Sequence, residues 1–166
     1  MHFIDKNIIF DFIRLVYFRE SPGEYKNSAM IVVLANQNKI DACISEATFF
    51  SAGNYLTYKL ERSGIEKPED AAGNALKAIF KGKWHSTSLA KEEFLECLKD
   101  KRLHYEDSYQ LACAKKKTKT IITRNLKDFE CILEIKALAP KQFLATVKPQ
   151  DLREAEKELE SLEKKQ

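Results

Sequence analysis

His2-Phe3-Ile4-Asp5-Lys6-Asn7-Ile8-Ile9-Phe10-Asp11 is the stretch on which the reading of this 166-residue chain turns. His2–Asp5 reads as a short buried strand, and a helix follows over roughly Ile8–Phe18. An acid, a base and an amide stand between them, at the carboxyl end of the strand. In an open α/β sheet, ligands bind beyond the strand carboxyl ends, where the strand order reverses. Asp5 is therefore placed where chemistry is expected.

Outward from this stretch, short apolar runs alternate with amphipathic ones. Ser21-Pro22 punctuates the chain, with Ser21 as a candidate N-cap and Pro22 at the first helical position. A second helix is expected over about Gly23–Gln37, where Tyr25, Ala29, Val32 and Val33 repeat at helical spacing. Ile40–Ile44 reads as a second strand, leading into a helix from Ser45-Glu46 to about Arg62. Lys67-Pro68-Glu69-Asp70 opens another helix, ending near Lys81-Gly82. Trp84–Leu89 is a candidate third strand, and Lys91–Lys99 and Glu106–Lys117 are helical. Strands follow at Thr120–Thr123 and near Ile135–Leu138, and Pro140 starts a turn or short helix. This alternation predicts an α/β fold, with a mostly parallel sheet of four or five strands covered on both faces.

The composition is that of an ordinary globular protein, 44% hydrophobic and 32% charged, with five Gly and four Pro. No stretch approaches the roughly 20 apolar residues that span a bilayer. The start lacks the basic and apolar regions of a signal peptide, so a cytoplasmic location is expected, with no membrane partner. Cys43, Cys97, Cys113 and Cys131 form no CxxC pair and read as reduced, mostly buried apolar side chains. His2, His85 and His104 lack ligand spacing, which argues against a zinc site. The net charge of +3 is too small to announce nucleic-acid binding, but Asp151–Gln166 holds six acids and four bases, leaving about +5 on the first 150 residues. The densest basic run, Lys115-Lys116-Lys117 with Lys119, reads as a solvated helix end or a phosphate-binding edge. Residues 1–147 are read as one domain and 148–166 as a charged helical tail. Leu152, Leu159 and Leu162 are the tail's main apolar residues. It either docks on the domain, docks on a partner, or frays in solvent.

Three pieces present acids at strand or helix ends: Asp5, Glu106-Asp107, and the turn Thr123-Arg124-Asn125-Leu126-Lys127-Asp128. Sequence separation says nothing of their proximity. Adjacent first and fourth strands would bring all three to one edge, where carboxylates and water suit Mg²⁺. Each acid also has a structural alternative. Asp5 can end a strand, Asp107 can favour a helix dipole, and Asp128 can cap a short helix.

The ordered motifs carry a resemblance. Ile4–Asp11 resembles the opening strand and turn of PIN domains; Ser28–Ala35 with Lys39–Ser45 resembles their next helix and strand. Tyr105–Ala114 resembles the third acidic motif, Ile121–Phe129 the fourth, and Ala139–Leu144 the usual ending. The resemblance covers approximately residues 2–146. It implies a PIN-like, Rossmann-like three-layer α/β/α fold and a Mg²⁺- or Mn²⁺-dependent endoribonuclease similar to VapC-type toxins. A protein antitoxin and a homodimer are the implied partners, and RNA the implied substrate. Asp5 and Asp107 would be metal-binding carboxylates and, with Asp128, catalytic. Asn7, Thr123, Arg124, Asn125 and Ser51 would orient the site or contact substrate. Ser51 stands where many relatives carry Glu, with Asn54 or Glu46 as imperfect substitutes. Lys6 replaces a small residue, and Asn125 stands where many relatives carry an acid. These departures leave a non-enzymatic RNA- or protein-binding module as the rival expectation, and a structure-specific DNA nuclease as a third.

Overall fold

Alternate strand residues feed two separate cores, one on each face of a single sheet. The protein, seen as a computed structural model, is described for residues 1–20, 22–99, 101, 103–129 and 132–164. Ser21, expected as an N-cap, and Cys131 lie outside the described residues. The strands are β1 (His2–Ile4), β2 (Ala42–Ser45), β3 (His85–Thr87), β4 (Thr120–Ile122) and β5 (Lys136–Leu138). Phe3, Cys43 and Ile121 point to one core, while Ile4, Ala42, Ile44 and Ile122 point to the other. Side chains two apart share a face, so short runs of unbroken apolar residues supply both cores at once.

The helices are α1 (Lys6–Phe18), α2 (Gly23–Asn36), α3 (Glu46–Arg62), α4 (Pro68–Ile79), α5 (Lys91–Cys97), α6 (Tyr105–Lys117), α7 (Leu126–Phe129), α8 (Pro140–Leu144) and α9 (Pro149–Lys164). The larger core joins α1, α2, α3, α4, α8 and α9; the smaller gathers Leu111, Cys113 and Ala114 of α6 with Phe129, Ile132 and Ile135. The expected three-layer α/β/α architecture is thus realised. Among the described residues no helix is long and apolar enough to cross a membrane. Cys43 and Cys113 are buried, and burial pushes both thiols up to about 11, so they behave as small apolar side chains.

The sheet is all parallel, in the order β3-β2-β1-β4-β5. The chain runs from β1 outward through β2 and β3, then returns to the other side of β1 as β4. The order therefore reverses between β1 and β4, with Phe3 opposite Ile121 and Ile4 opposite Ile122. That adjacency is the condition under which the three acidic pieces were expected to meet.

α2 is buried continuously from Ser28 to Asn36 because it lies between α1 and α9. The open question of the tail is settled by α9, which docks on the domain. Its Ala155 and Leu159 are fully buried, and its acids meet bases of the body: Asp151 and Glu154 with Lys39, Glu156 with Lys26, Glu158 with Lys81.

Candidate functional site

Asp5 follows β1 directly and stands as the residue before α1, with extended backbone, yet its side chain makes no capping bond to that helix. The carboxylate instead turns to the neighbouring strand end. Asp5 Oδ2 accepts from Thr123 Oγ1 and from Asn7 Nδ2, both at 2.6 Å. Asn7 Nδ2 also reaches Thr123 Oγ1 (3.1 Å), and Asn7 Oδ1 accepts the Arg124 backbone N–H (3.3 Å). Thr123 Oγ1 further accepts the Asn125 N–H at 3.0 Å. Asn7 and Thr123 thus hold one oxygen of the Asp5 carboxylate from the ends of β1 and β4.

Asp5 is 1% exposed, and its other oxygen, Oδ1, is buried without a hydrogen-bond partner. A carboxylate has about four acceptor positions, and a buried one left half used is costly. Burial pushes the Asp5 carboxyl up to about 6; the Asp107 charge adds to the rise, while the Thr123 bond and Lys6 oppose it. Asp107, in the first turn of α6, is also raised, first by burial and then by the charge of Asp128. Asp107 thus acts on the charge of Asp5 and is itself acted on by Asp128. Asp128 accepts from Asn125 Nδ2 across one turn of α7.

A second buried acid offers an internal comparison. Asp11, fully buried on α1, accepts from Ser28 Oγ (2.7 Å) and lies 2.7 Å from Arg124 Nε, in an ion contact that lacks hydrogen-bond alignment. Arg124 also reaches Glu24 (3.1 Å). Asp11 has a guanidinium for its charge. Among the described residues, Asp5 has only neutral donors in contact, because the nearby Lys6 ammonium pairs with Glu106. Asp11 Oδ1 is likewise without a hydrogen-bond partner, so the difference between the two buried acids is that Asp5 lacks a cation in contact.

The described residues contain no group of three or more His, Cys, Asp or Glu side chains able to hold a metal by themselves. Mg²⁺ does not need such a cage, since it is usually held by one or two carboxylates and keeps several waters. Asp5, with its free Oδ1, and the neighbouring Asp107 fit that demand.

Ser51 lies on α3, lining a cleft of about 370 Å³ with Glu106, Tyr105 and Tyr109, outside the hydrogen-bond network of Asp5. Glu46 opens α3 and is exposed. Sequence reasoning missed Asp11 and the pairing of Glu106. An acid between Phe10 and Phe12 inside an apolar helix was a readable signal of a paired buried charge. The Lys6–Glu106 contact joins residues 100 positions apart and left no local trace.

The sequence matches no protein-family model and no curated protein. Solved structures do match in shape. A chain of a toxin–antitoxin complex from Klebsiella pneumoniae superposes with a TM-score of 0.51 at 18% identity, covering 84% of this chain and 98% of that one. A chain of VapBC2 from Rickettsia felis, solved bound to a DNA fragment from the promoter, gives 0.50 at 14% identity, covering 83% and 97%. The fold is PIN-like. At such low identity the likeness speaks for the fold alone. Within the PIN-like frame, Asp5 and Thr123 occupy the switch point, Asp107 opens the adjoining helix, and the Asn125–Asp128 turn closes the edge.

Proposed function

We propose that the chain is a Mg²⁺- or Mn²⁺-dependent endoribonuclease of the VapC toxin type, restrained by a protein antitoxin. The observation that carries the nuclease reading is Asp5: a buried carboxylate, oriented from two strands, with one oxygen unpartnered and a second raised acid beside it. The antitoxin reading draws on the two matched structures, each of a toxin–antitoxin type complex.

Asp5 and Asp107 would hold the ion. When bound, it supplies positive charge at the phosphodiester and makes water more acidic. Asn7 and Thr123 hold Asp5 in one rotamer, so the site is organised before substrate arrives. Asp128, steadied by Asn125, places a further negative charge where a proton can be received from water. Lys6 adds a fixed cation at the rim, partly spent on Glu106.

Asp5→Asn and Asp107→Asn are expected to lower metal-dependent cleavage of single-stranded RNA by more than roughly a hundredfold, the upper range for loss of a supporting partner. Thr123→Val should cost roughly 10–100-fold. Undiminished cleavage by both Asn variants removes the mechanism.

The Lys6–Glu106 pair and Ser51 favour a second reading, a catalytically degenerate PIN-like module that binds RNA or protein. Calorimetry separates the two. Heat of Mn²⁺ binding that disappears in Asp5→Asn supports the nuclease; no binding at millimolar Mn²⁺, with RNA or partner binding retained, supports the module.

A further inference from the structure

From the candidate site outward, cations and aromatic rings alternate across the surface. Arg124, whose backbone bonds Asn7, lays its guanidinium 5.3 Å from the centre of the Tyr25 ring. Arg14 stands over the same ring at 5.8 Å and over Tyr55 at 5.7 Å, and donates to both hydroxyls (3.3 and 3.2 Å). Lys59 lies 5.3 Å from the Phe18 ring and 6.0 Å from Tyr55, and Arg62 lies 5.5 Å from Tyr58. The row ends in a cleft of about 510 Å³, lined chiefly by Arg14, Glu20, Tyr55, Tyr58, Lys59 and Arg62.

Three features identify an occupant. The cleft's size falls within the roughly 300–1,000 Å³ that receives a small organic group. Its cations outnumber its one acid, since Glu20 must serve both Lys59 (2.7 Å) and Arg14 (3.9 Å) while Arg62 turns to the Tyr58 hydroxyl. One of its rings is open to solvent, Tyr58 at 52% exposed, while Phe18 and Tyr55 are half-buried against the core. A flat group carrying an anion satisfies all three, and a nucleotide is such a group. Positive grooves with aromatic platforms are the common means of holding single-stranded nucleic acid. Aromatics and arginine also mark protein interfaces. The excess of positive charge and the unbroken row back to Arg124 favour the nucleic acid.

We propose that this cleft is a second nucleotide subsite for the single-stranded RNA whose scissile linkage lies at Asp5 and Asp107, stacking an unpaired base on Tyr58 and holding its phosphate with Lys59 and Arg62. The identity of the ligand rests on the ribonuclease reading; the subsite itself rests on the cleft.

The test uses a fluorescein-labelled 12-nucleotide single-stranded RNA of mixed sequence. Binding is followed by anisotropy over a KCl series, in the full chain carrying Asp5→Asn to prevent cleavage. Tyr58→Ala is expected to weaken binding about fivefold or more. Arg62→Ala should also weaken it and reduce the slope of log affinity against log salt by about 0.7. Both positions are exposed, and Tyr58→Leu and Arg62→Glu serve as second variants should either fail to fold. In the chain with Asp5 intact, the same changes should raise KM for cleaving this RNA and leave kcat in place. Unchanged affinity and salt slope, with cleavage still dependent on Asp5, overturn the subsite alone. Cleft-dependent binding without Asp5-dependent cleavage overturns the nuclease alone. Variants that lose a protein partner but keep RNA binding assign the cleft to protein and overturn the proposal.

Discussion

Burial lifts the carboxyls of Asp5 and Asp11 to about 6 alike, yet the two are compensated differently. Asp11 has Arg124, while Asp5 is met by the hydroxyl of Thr123 and the amide of Asn7. The folded chain therefore holds the Asp5 proton more tightly than the unfolded chain does. This contribution to stability is full below about pH 4 and is lost as pH rises through about 6. The rise from 3.8 to about 6 corresponds to on the order of 3 kcal/mol. Asp5→Asn, which cannot ionise, should melt higher than the native chain at pH 8, with the difference shrinking toward pH 5. Calorimetric melts across that range check it, and a difference independent of pH would mean that Asp5 carries no such burden. Little of this was legible in the sequence. Asp5 could be placed at a strand end, but its partners lie on another strand, and Thr123 is 118 residues away.

Among the elements, the connection from α4 to β3 shows how closely the backbone packs. A Cβ on Gly82 would lie 2.5 Å from the Ala35 carbonyl oxygen and 2.6 Å from Asn36 Cα, so the residue is glycine for lack of space. Asn36 Oδ1 accepts from both the Gly82 N–H (3.3 Å) and the Trp84 indole (2.9 Å), locking β3 to the end of α2. Gly82→Ala should therefore cost about 1–3 kcal/mol in urea unfolding; a change under a few tenths would show that the loop yields freely. The elements themselves were largely readable. Alternation of apolar runs with helical spacing placed every strand within a few residues, though Trp84–Leu89 contracts to His85–Thr87. The strands are short, and their run lengths alone do not say which lie side by side. The adjacency of β1 and β4, on which the site depends, entered the sequence reading only as a condition.

At the scale of the whole molecule, α9 lays an acidic stripe over Lys26, Lys39 and Lys81. The asymmetry of charge was visible in the sequence; its resolution by contact was not, because three leucines in a charged helix are compatible with docking or with fraying. Exposed ion pairs contribute roughly 0–1 kcal/mol each, whereas a buried leucine contributes several times that. Leu159→Ala should thus destabilise the chain by about 2–5 kcal/mol. Replacing Glu154, Glu156 and Glu158 together by Gln should cost less, as judged by denaturant midpoints. The reverse ranking would make α9 an electrostatic rather than an apolar attachment. The union of β1 with β4 also has a temporal side. During synthesis the first strand emerges early, but Asp5 cannot receive its hydroxyl bond, nor Asp107 its neighbour Asp128, until about three quarters of the chain has been made. Domains fold as units and distant pairings form late. On the ribonuclease reading proposed above, a nascent chain would thus be chemically unarmed for most of its translation, and the transcript being read would be spared by the order in which its own product is assembled.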